Sequence, residues 1–397
     1  MAILAQRPFV RATVTNFFFF ASLNGFILLP LHIRQLGGTE AEIGVVMAVY
    51  SAIGIVCQPL VGPWVDVVGR RPFMLAGIAL VLLSTAVAAA VSSIPALGVV
   101  RALQGLGFSA FFVSNYSYVI DLVPPERRGW ALGIYGISGM ISTALTPLAG
   151  EAIVRFLGFR PLFGLCGLLA AVALALVWPL RERPRGESQP VRARELARAG
   201  LGDLLHRHMA VTVFFGLGTG TISVFVPTFA EDLGVRTLAL FYTAYAIAAM
   251  AVRVVGGRLI DTRGRRAVIV PSMFLQVVAS GVLAALALPA AAGVRPLPPL
   301  VAAGLLAGAA HGFLYPGLAA LVADQAPEAR RGAVVGVFSA VFLVGNAGGA
   351  SAFGYVAHGI GYASMWGVLT ALLLAGAAIS LRLADPRPAL VPSGART

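Results

Sequence analysis

The chain contains no lysine: all 29 of its basic residues are arginine, set against only 16 Asp and Glu in 397 residues. A phosphate-binding loop needs its lysine and a Schiff-base enzyme needs an amine, so the sequence points away from ATP hydrolysis and imine chemistry. Charge of either sign is scarce, at 11% of residues, where a soluble domain carries roughly 25%. There are two cysteines, Cys57 and Cys166, both inside apolar runs and far from C-x-x-C spacing. Neither a disulfide framework, a zinc site nor redox chemistry is indicated. H-E-x-x-H and G-x-S-x-G are missing as well, so no metal, no cofactor and no enzymatic activity is expected.

What the chain does have is apolar length. With 58% apolar residues and a mean hydropathy of +0.88, it must hold long uncharged stretches, and stretches of about 20 residues are what a bilayer core selects. Six can be read at 9–33, 41–62, 72–92, 95–120, 129–152 and 157–180, and six more at 209–230, 237–257, 267–289, 299–322, 332–356 and 359–383. These are taken as spans one to twelve. The first run is too long for a signal peptide and lacks a small-residue cleavage site, so it is expected to remain as span one. Between spans six and seven the segment 181–208 carries seven arginines with Pro184, Gly186 and Pro190, which marks a linker. The expected organisation is a six-helix bundle at 1–183, a basic linker at 184–207, a second bundle at 208–384 and a tail at 385–397. Within the linker, 191–205 is amphipathic and suits either an anionic lipid surface or a solvated loop.

The net charge of +13 is explained by placement. If the N-terminus is cytoplasmic, the loops on that side hold 22 of the 29 arginines, while the outer loops hold only Arg34, Arg155, Arg160, Arg236 and Arg295. The positive-inside rule then puts both termini in the cytoplasm, and no nucleic-acid partner is needed to account for the charge. The partners expected are membrane lipid and a small-molecule substrate.

The two halves repeat each other. Gly62, Asp66, Gly69, Arg70 and Arg71 follow span two; Gly257, Asp261, Gly264, Arg265 and Arg266 follow span eight, at a constant offset of 195 that also relates Tyr50 to Tyr245. Asp121, Pro124, Arg127, Arg128 and Gly129 follow span four; Asp324, Pro327, Arg330, Arg331 and Gly332 follow span ten, at an offset of 203. Both sets fall on the same side in each half, so the repeat is parallel, about an axis along the membrane normal.

These residues resemble the major facilitator superfamily over nearly the whole chain. The family's loop signature G-x-x-x-D-x-x-G-R-[RK] occurs twice, at Gly62 to Arg71 and at Gly257 to Arg266, and its fourth-helix signature R-x-x-Q-G-x-G appears at Arg101, Gln104, Gly105 and Gly107. The resemblance implies an all-α fold of twelve transmembrane helices in two parallel-repeat bundles that rock about a central cavity. The exporters' fifth-helix signature is matched in part: Gly133, Pro147 and Gly150 are kept, while Ser142, Thr146 and Glu151 depart from it.

A gate is expected from the paired loops. Gly62 would let span two approach another helix closely, and Asp66 would set its carboxylate at the start of span eleven, with Asp261 at the start of span five, where helix N-termini favour an anion. The family resemblance suggests that Arg70 and Asp121 join this charge network; the alternative is that all these charges only mark topology. Arg101 lies about 10 Å inside span four and needs a cavity or a partner. The resemblance implies proton exchange there with Gln104, and Glu151 is the nearest acid in depth. The alternative has Arg101 reaching outward and Glu151 pairing with Arg155. Arg253 is expected to extend towards its nearer membrane surface.

Spans three, six and twelve carry few polar side chains and are expected against lipid. The remaining spans place Asn24, Tyr50, Thr219, Thr221, Tyr245, His311 and Asn346 near mid-depth as candidate substrate contacts. Each also serves as an ordinary helix-to-helix contact. No Asp or Glu lies at mid-depth in any span. A permanently cationic substrate would lack a counter-charge, so a neutral, zwitterionic or weakly anionic one is favoured. His311 is the mid-depth group whose ordinary titration range lies near neutrality, and it is a second candidate to carry a coupling proton. The expected function is proton-coupled export of a small organic compound across the inner membrane by alternating access; uptake by symport and a non-transporting sensor are the alternatives.

Overall fold

The computed structural model describes residues 7–124, 128–181, 207–325 and 331–383, with the backbone alone described at 66, 128–130, 207, 255–258, 260–262, 323–325 and 331–336. The linker and the tail lie outside the described residues. What is described is helical, without strands. Span one begins as Arg7–Asn24, tightens into a 3-10 turn over Gly25–Leu28 and resumes as Leu29–Gln35. Spans two to six are Glu40–Val68, Arg70–Ala90, Ile94–Leu122, Arg128–Leu157 and Phe159–Val177. Spans seven to ten are Arg207–Asp232, Ala239–Arg263, Arg266–Leu286 and Leu297–Gln325. Spans eleven and twelve form one 50-residue helical stretch, Arg331–Ser380, broken at Gly361, whose φ of 82° is non-helical. Among the described residues ten helices are long and apolar enough to cross a membrane; Val337–Ser380, 44 residues broken at Gly361, is long enough to cross twice, and with the shorter apolar stretch Ala239–Val254 this accounts for twelve spans.

Local signals set the ends. Thr39 and Glu42 form a capping box at the start of span two, with Thr39 N–H donating to Glu42 Oε2 at 2.8 Å. Gly69 and Gly264, 195 positions apart, take φ values of 132° and 88° in the turns that enter spans three and nine. A side chain would be strained at either position, which is why both copies of the loop carry glycine.

The spans leave one end of the bundle rich in arginine, with Arg7, Arg70, Arg71, Arg266 and Arg382 near it, and we call this the basic end. At the opposite, far end a single apolar core joins both halves: Phe26, Ile33 and Val46 pack in the same cluster as Phe225, Phe353 and Trp366. Towards the basic end the core of the described residues is divided, with Phe9, Met74, Val119 and Val177 in one cluster and Met209, Met273, Leu318 and Phe338 in another. Spans three, six and twelve each turn an apolar face outwards, at Leu83, Leu168 and Leu374.

Candidate functional site

At the far end the halves are tied by polar contacts. The guanidinium of Arg34 donates to Asp232 Oδ1 at 2.6 Å, Glu231 Oε2 at 3.3 Å and the Thr228 carbonyl at 3.1 Å, and within its own half to Glu40 Oε1 at 2.9 Å. Tyr362 accepts a further bond from Arg34 at 3.2 Å and meets the Thr228 hydroxyl at 2.6 Å. Glu151 pairs with Arg155 at 3.1 Å and accepts from the Ala239 N–H at 2.8 Å, so its carboxylate sits on the first amide of span eight. Arg155 also donates to the Arg236 carbonyl. A little deeper Thr243 donates to the Ala144 carbonyl at 2.9 Å, and at mid-depth Ser51 donates to Asn346 Oδ1 at 2.9 Å.

Arg101 is only 8% exposed, and it neither reaches outward nor meets Glu151. Its Nη1 donates to Gln104 Oε1 at 2.8 Å and its guanidinium lies 4.5 Å from the centre of the Tyr50 ring, while its Nε and Gln104 Nε2 are buried without partners. Cation–π attraction and one hydrogen bond thus offset part of the desolvation of this charge.

The middle of the bundle is aromatic on both sides. In the first half Tyr50 meets Phe108 at 5.4 Å, Phe20 meets Phe108 at 6.0 Å, and Phe108 stacks on Phe112 at 5.2 Å. In the second, Tyr245 meets His311 at 5.7 Å, Phe215 meets His311 at 5.4 Å, and His311 stacks on Tyr315 at 6.1 Å. Tyr50, Tyr245, His311 and Tyr315 are enclosed by protein yet retain intermediate solvent access, as residues lining an internal cavity do. The ring partners Phe20, Phe108, Phe112, Phe215 and Tyr315 were not singled out from the sequence. The offset of 203 applied to His311 points to Phe108, and the offsets then relate Phe20 to Phe215 and Phe112 to Tyr315.

The other candidates make helix contacts. Asn24 donates to Ser142 Oγ at 2.8 Å and Thr143 Oγ1 at 3.1 Å, which gives the departure Ser142 a packing role. Thr219 and Thr221 return their hydroxyls to the carbonyls of Phe215 and Leu217, at 2.9 Å and 2.8 Å. Arg253 corrects the sequence reading. It turns inward to the boundary between the halves, where a Cβ on Gly136 of span five would lie 3.3 Å from its Nη1.

At the basic end Arg70 Nε donates to Asp121 Oδ2 at 3.1 Å and its Nη1 to the Val65 carbonyl at 3.0 Å. Arg71 donates to the Trp178 carbonyl at 2.7 Å, and Arg266, its partner at offset 195, donates to the Leu381 carbonyl at 2.8 Å, each tying a loop to the end of its half's last span. Arg265 stands at the N-cap position of span nine without a side-chain capping bond. Among the described residues a Cβ on Gly62 would meet nothing within 4 Å, so none of them makes the close approach expected there. Asp66, Gly257 and Asp261 fall near the ends of spans two and eight, where only the backbone is described, and the expected contacts with the starts of spans five and eleven lie outside the described residues.

Comparison with known proteins agrees with this architecture. The family profile described as Major Facilitator Superfamily matches residues 12–292 and 208–397. The staphylopine export protein of Staphylococcus aureus is 25% identical over 96% of this chain and 98% of its own length. The multi-drug resistance efflux pump PmrA of Streptococcus pneumoniae is 25% identical over 87% of this chain and 88% of its own. In structure, the nucleoside transporter NupG superposes with a TM-score of 0.79 over 94% of this chain and 99% of that one, at 14% identity. The human organic anion transporter MFSD10 superposes with a TM-score of 0.67, at 18% identity and with the same coverage. Repeat, helix count and family profile coincide over the chain, which is a multi-pass membrane transporter, not an enzyme, and belongs to the Major Facilitator Superfamily.

Proposed function

We propose that the chain is a proton-coupled exporter of a small neutral, zwitterionic or weakly anionic organic compound, working by alternating access in the inner membrane with both termini cytoplasmic. The observation that carries the reading is the uneven closure of the bundle. The far end is sealed by one core and the Arg34 and Glu151 contacts, while the described cores towards the basic end are separate. With the basic end assigned to the cytoplasm by the positive-inside rule, this is a carrier presenting its aromatic cavity inward, ready to load from the cytoplasm. Export is supported by relatives whose names are those of export and efflux proteins. The departures Ser142, Thr146 and Glu151 from the exporters' signature favour uptake as the second reading.

Proton coupling rests on Arg101, Gln104 and His311. Glu151, bonded to Arg155 and to the start of span eight, belongs instead to the far-end closure. Inside-out vesicles are the test, because their exposed face is cytoplasmic. Under an imposed pH gradient, acid inside, the wild type should accumulate solutes of the exported class. Arg101→Ala should lose this accumulation while retaining part of the solute exchange in the absence of a gradient. Normal accumulation by Arg101→Ala would remove that residue from coupling, and accumulation only in right-side-out vesicles would select uptake.

A further inference from the structure

Among the described residues Arg253 has no counter-charge. It stands about 21 Å along span eight from the far end, and among the described residues it has no carboxylate partner and no hydrogen bond, its Nε being buried and unsatisfied. Arg101, the other arginine inside a span, has Gln104 and the Tyr50 ring. Around Arg253 stand Tyr245, Tyr315 and His311, all within electrostatic reach, with Gly136 of the other half across from it. His311 Nδ1 is also buried without a partner. The 16 acidic residues of the chain all lie in loops or near span ends, so none reaches this level from mid-depth.

An arginine inside a membrane span is costly unless it faces a cavity or a partner, and such groups mark substrate pathways; Arg253 has its Nε buried and keeps part of its surface open to solvent. The planar fork of Arg matches a carboxylate with two parallel hydrogen bonds. We propose that Arg253 is the seat for a carboxylate on the transported substrate, with the rings of Tyr245, His311 and Tyr315 packing against the substrate's apolar or aromatic body. This deepens the transporter reading above and rests on it: within the neutral, zwitterionic and weakly anionic classes it selects compounds that bear an acid. Gly136 fits the assignment, because a side chain there would occupy the space in front of the guanidinium.

The test compares matched pairs that differ only in charge: benzoate, phenylacetate, indole-3-acetate and hippurate, each against its own carboxamide. Binding is read as thermal stabilisation of the purified full-length protein, since a specific binder stabilises by mass action. At least one acid should stabilise the wild type more than its amide. Arg253→Gln should weaken that acid at least tenfold and leave the amide unchanged, and Arg253→Lys should keep part of the preference. A second measurement leaves Arg253 in place. Gly136→Cys, with Cys57 and Cys166 replaced by serine, should react several-fold faster with an anionic than with a cationic methanethiosulfonate. Equal binding of every acid and its amide, a preference that survives Arg253→Gln, or a labelling rate indifferent to reagent charge would each overturn the assignment. Absence of solute exchange in vesicles together with an intact acid preference would instead fault the transport reading and leave the site standing.

Discussion

The two halves of the molecule are copies in their framework and differ in their lining. Gly69 and Gly264 make the same turn, Arg71 and Arg266 tie the same loop to the same place, and Tyr50 and Tyr245 face the corresponding ring on span four or ten. At the same offsets Phe108 becomes His311, Phe112 becomes Tyr315, Gln58 becomes Arg253 and Arg34 becomes Phe229. Positions that fix backbone geometry tolerate few residue types and therefore stay alike. Positions whose side chains end in the cavity or at the far-end closure are free of that constraint, and there the halves have separated into a more apolar first wall and a more polar second one.

The largest effect should come from breaking the framework. A Cβ on Gly105 would lie 2.6 Å from the Tyr50 carbonyl, and one on its counterpart Gly308 would be driven still closer to the Tyr245 carbonyl. Gly105→Ala and Gly308→Ala should both lower the thermal unfolding midpoint, consistent with an overpacking cost of about 1–3 kcal/mol, and Gly308→Ala should lower it further. Detergent-solubilised protein followed by intrinsic fluorescence would measure it. A variant as stable as the wild type in either half would show that the crossing is not a shared constraint.

This division also explains what the sequence made legible. Twelve spans, the parallel repeat and the two copies of the loop motif were readable because each depends on spacing, which the sequence displays directly. Depth was readable too: Arg101 was expected below the surface and is buried there. Direction was not. Arg253 was expected to extend outward because depth alone says nothing of which way a side chain turns. The signal lay in its position eight residues after Tyr245, about 80° around the helix, near the face that looks inward. Arg34 was counted only as an exception to the positive-inside rule, and Arg155 as such an exception or as the partner of Glu151. Both bond across the halves at the far end, and a role there explains why arginines persist on the sparsely charged side.

The far-end closure is where the halves differ most, since Arg34 has no charged counterpart. Its side chain is 24% exposed, so each ion pair contributes at most about 1 kcal/mol, and the set together supports a shift of roughly tenfold in the balance of conformations. Arg34→Ala should raise labelling of a cavity cysteine by an impermeant reagent from the far side by about that factor, with folding intact, and Arg34→Lys should fall between. Unchanged labelling would assign the closure to the apolar core alone.

A smaller effect is expected at the basic end, where the copies invite a direct match. Arg70→Ala removes an ion pair whose Asp121 partner is 46% exposed, so its stability cost should be under about 1 kcal/mol. If the paired loops act as a latch, Arg70→Ala and Arg265→Ala should each slow transport several-fold and raise cavity labelling from the basic side, by similar amounts. An effect confined to one half would mean that the repeat is preserved for topology there and for gating only in the other.

The sharpest test of the lining, with only a small change in stability expected, is to erase the difference at one position. His311→Phe gives the second wall the ring found at Phe108 in the first. Because His311 Nδ1 has no hydrogen-bond partner, the substitution removes no buried bond at that atom, and the ring contacts to Phe215, Tyr245 and Tyr315 can persist. Such a volume-conserving exchange should alter stability by less than about 1.5 kcal/mol. Its effect on work should be out of proportion to this. If the imidazole carries the coupling proton, His311→Phe should abolish gradient-driven accumulation and spare exchange in the absence of a gradient, while Phe108→His should not restore it, since the Arg253 side of the cavity would still lack its imidazole. Gradient-driven transport that survives His311→Phe would leave coupling to Arg101 and Gln104, and would make the polar second wall a feature of substrate recognition rather than of energy transfer.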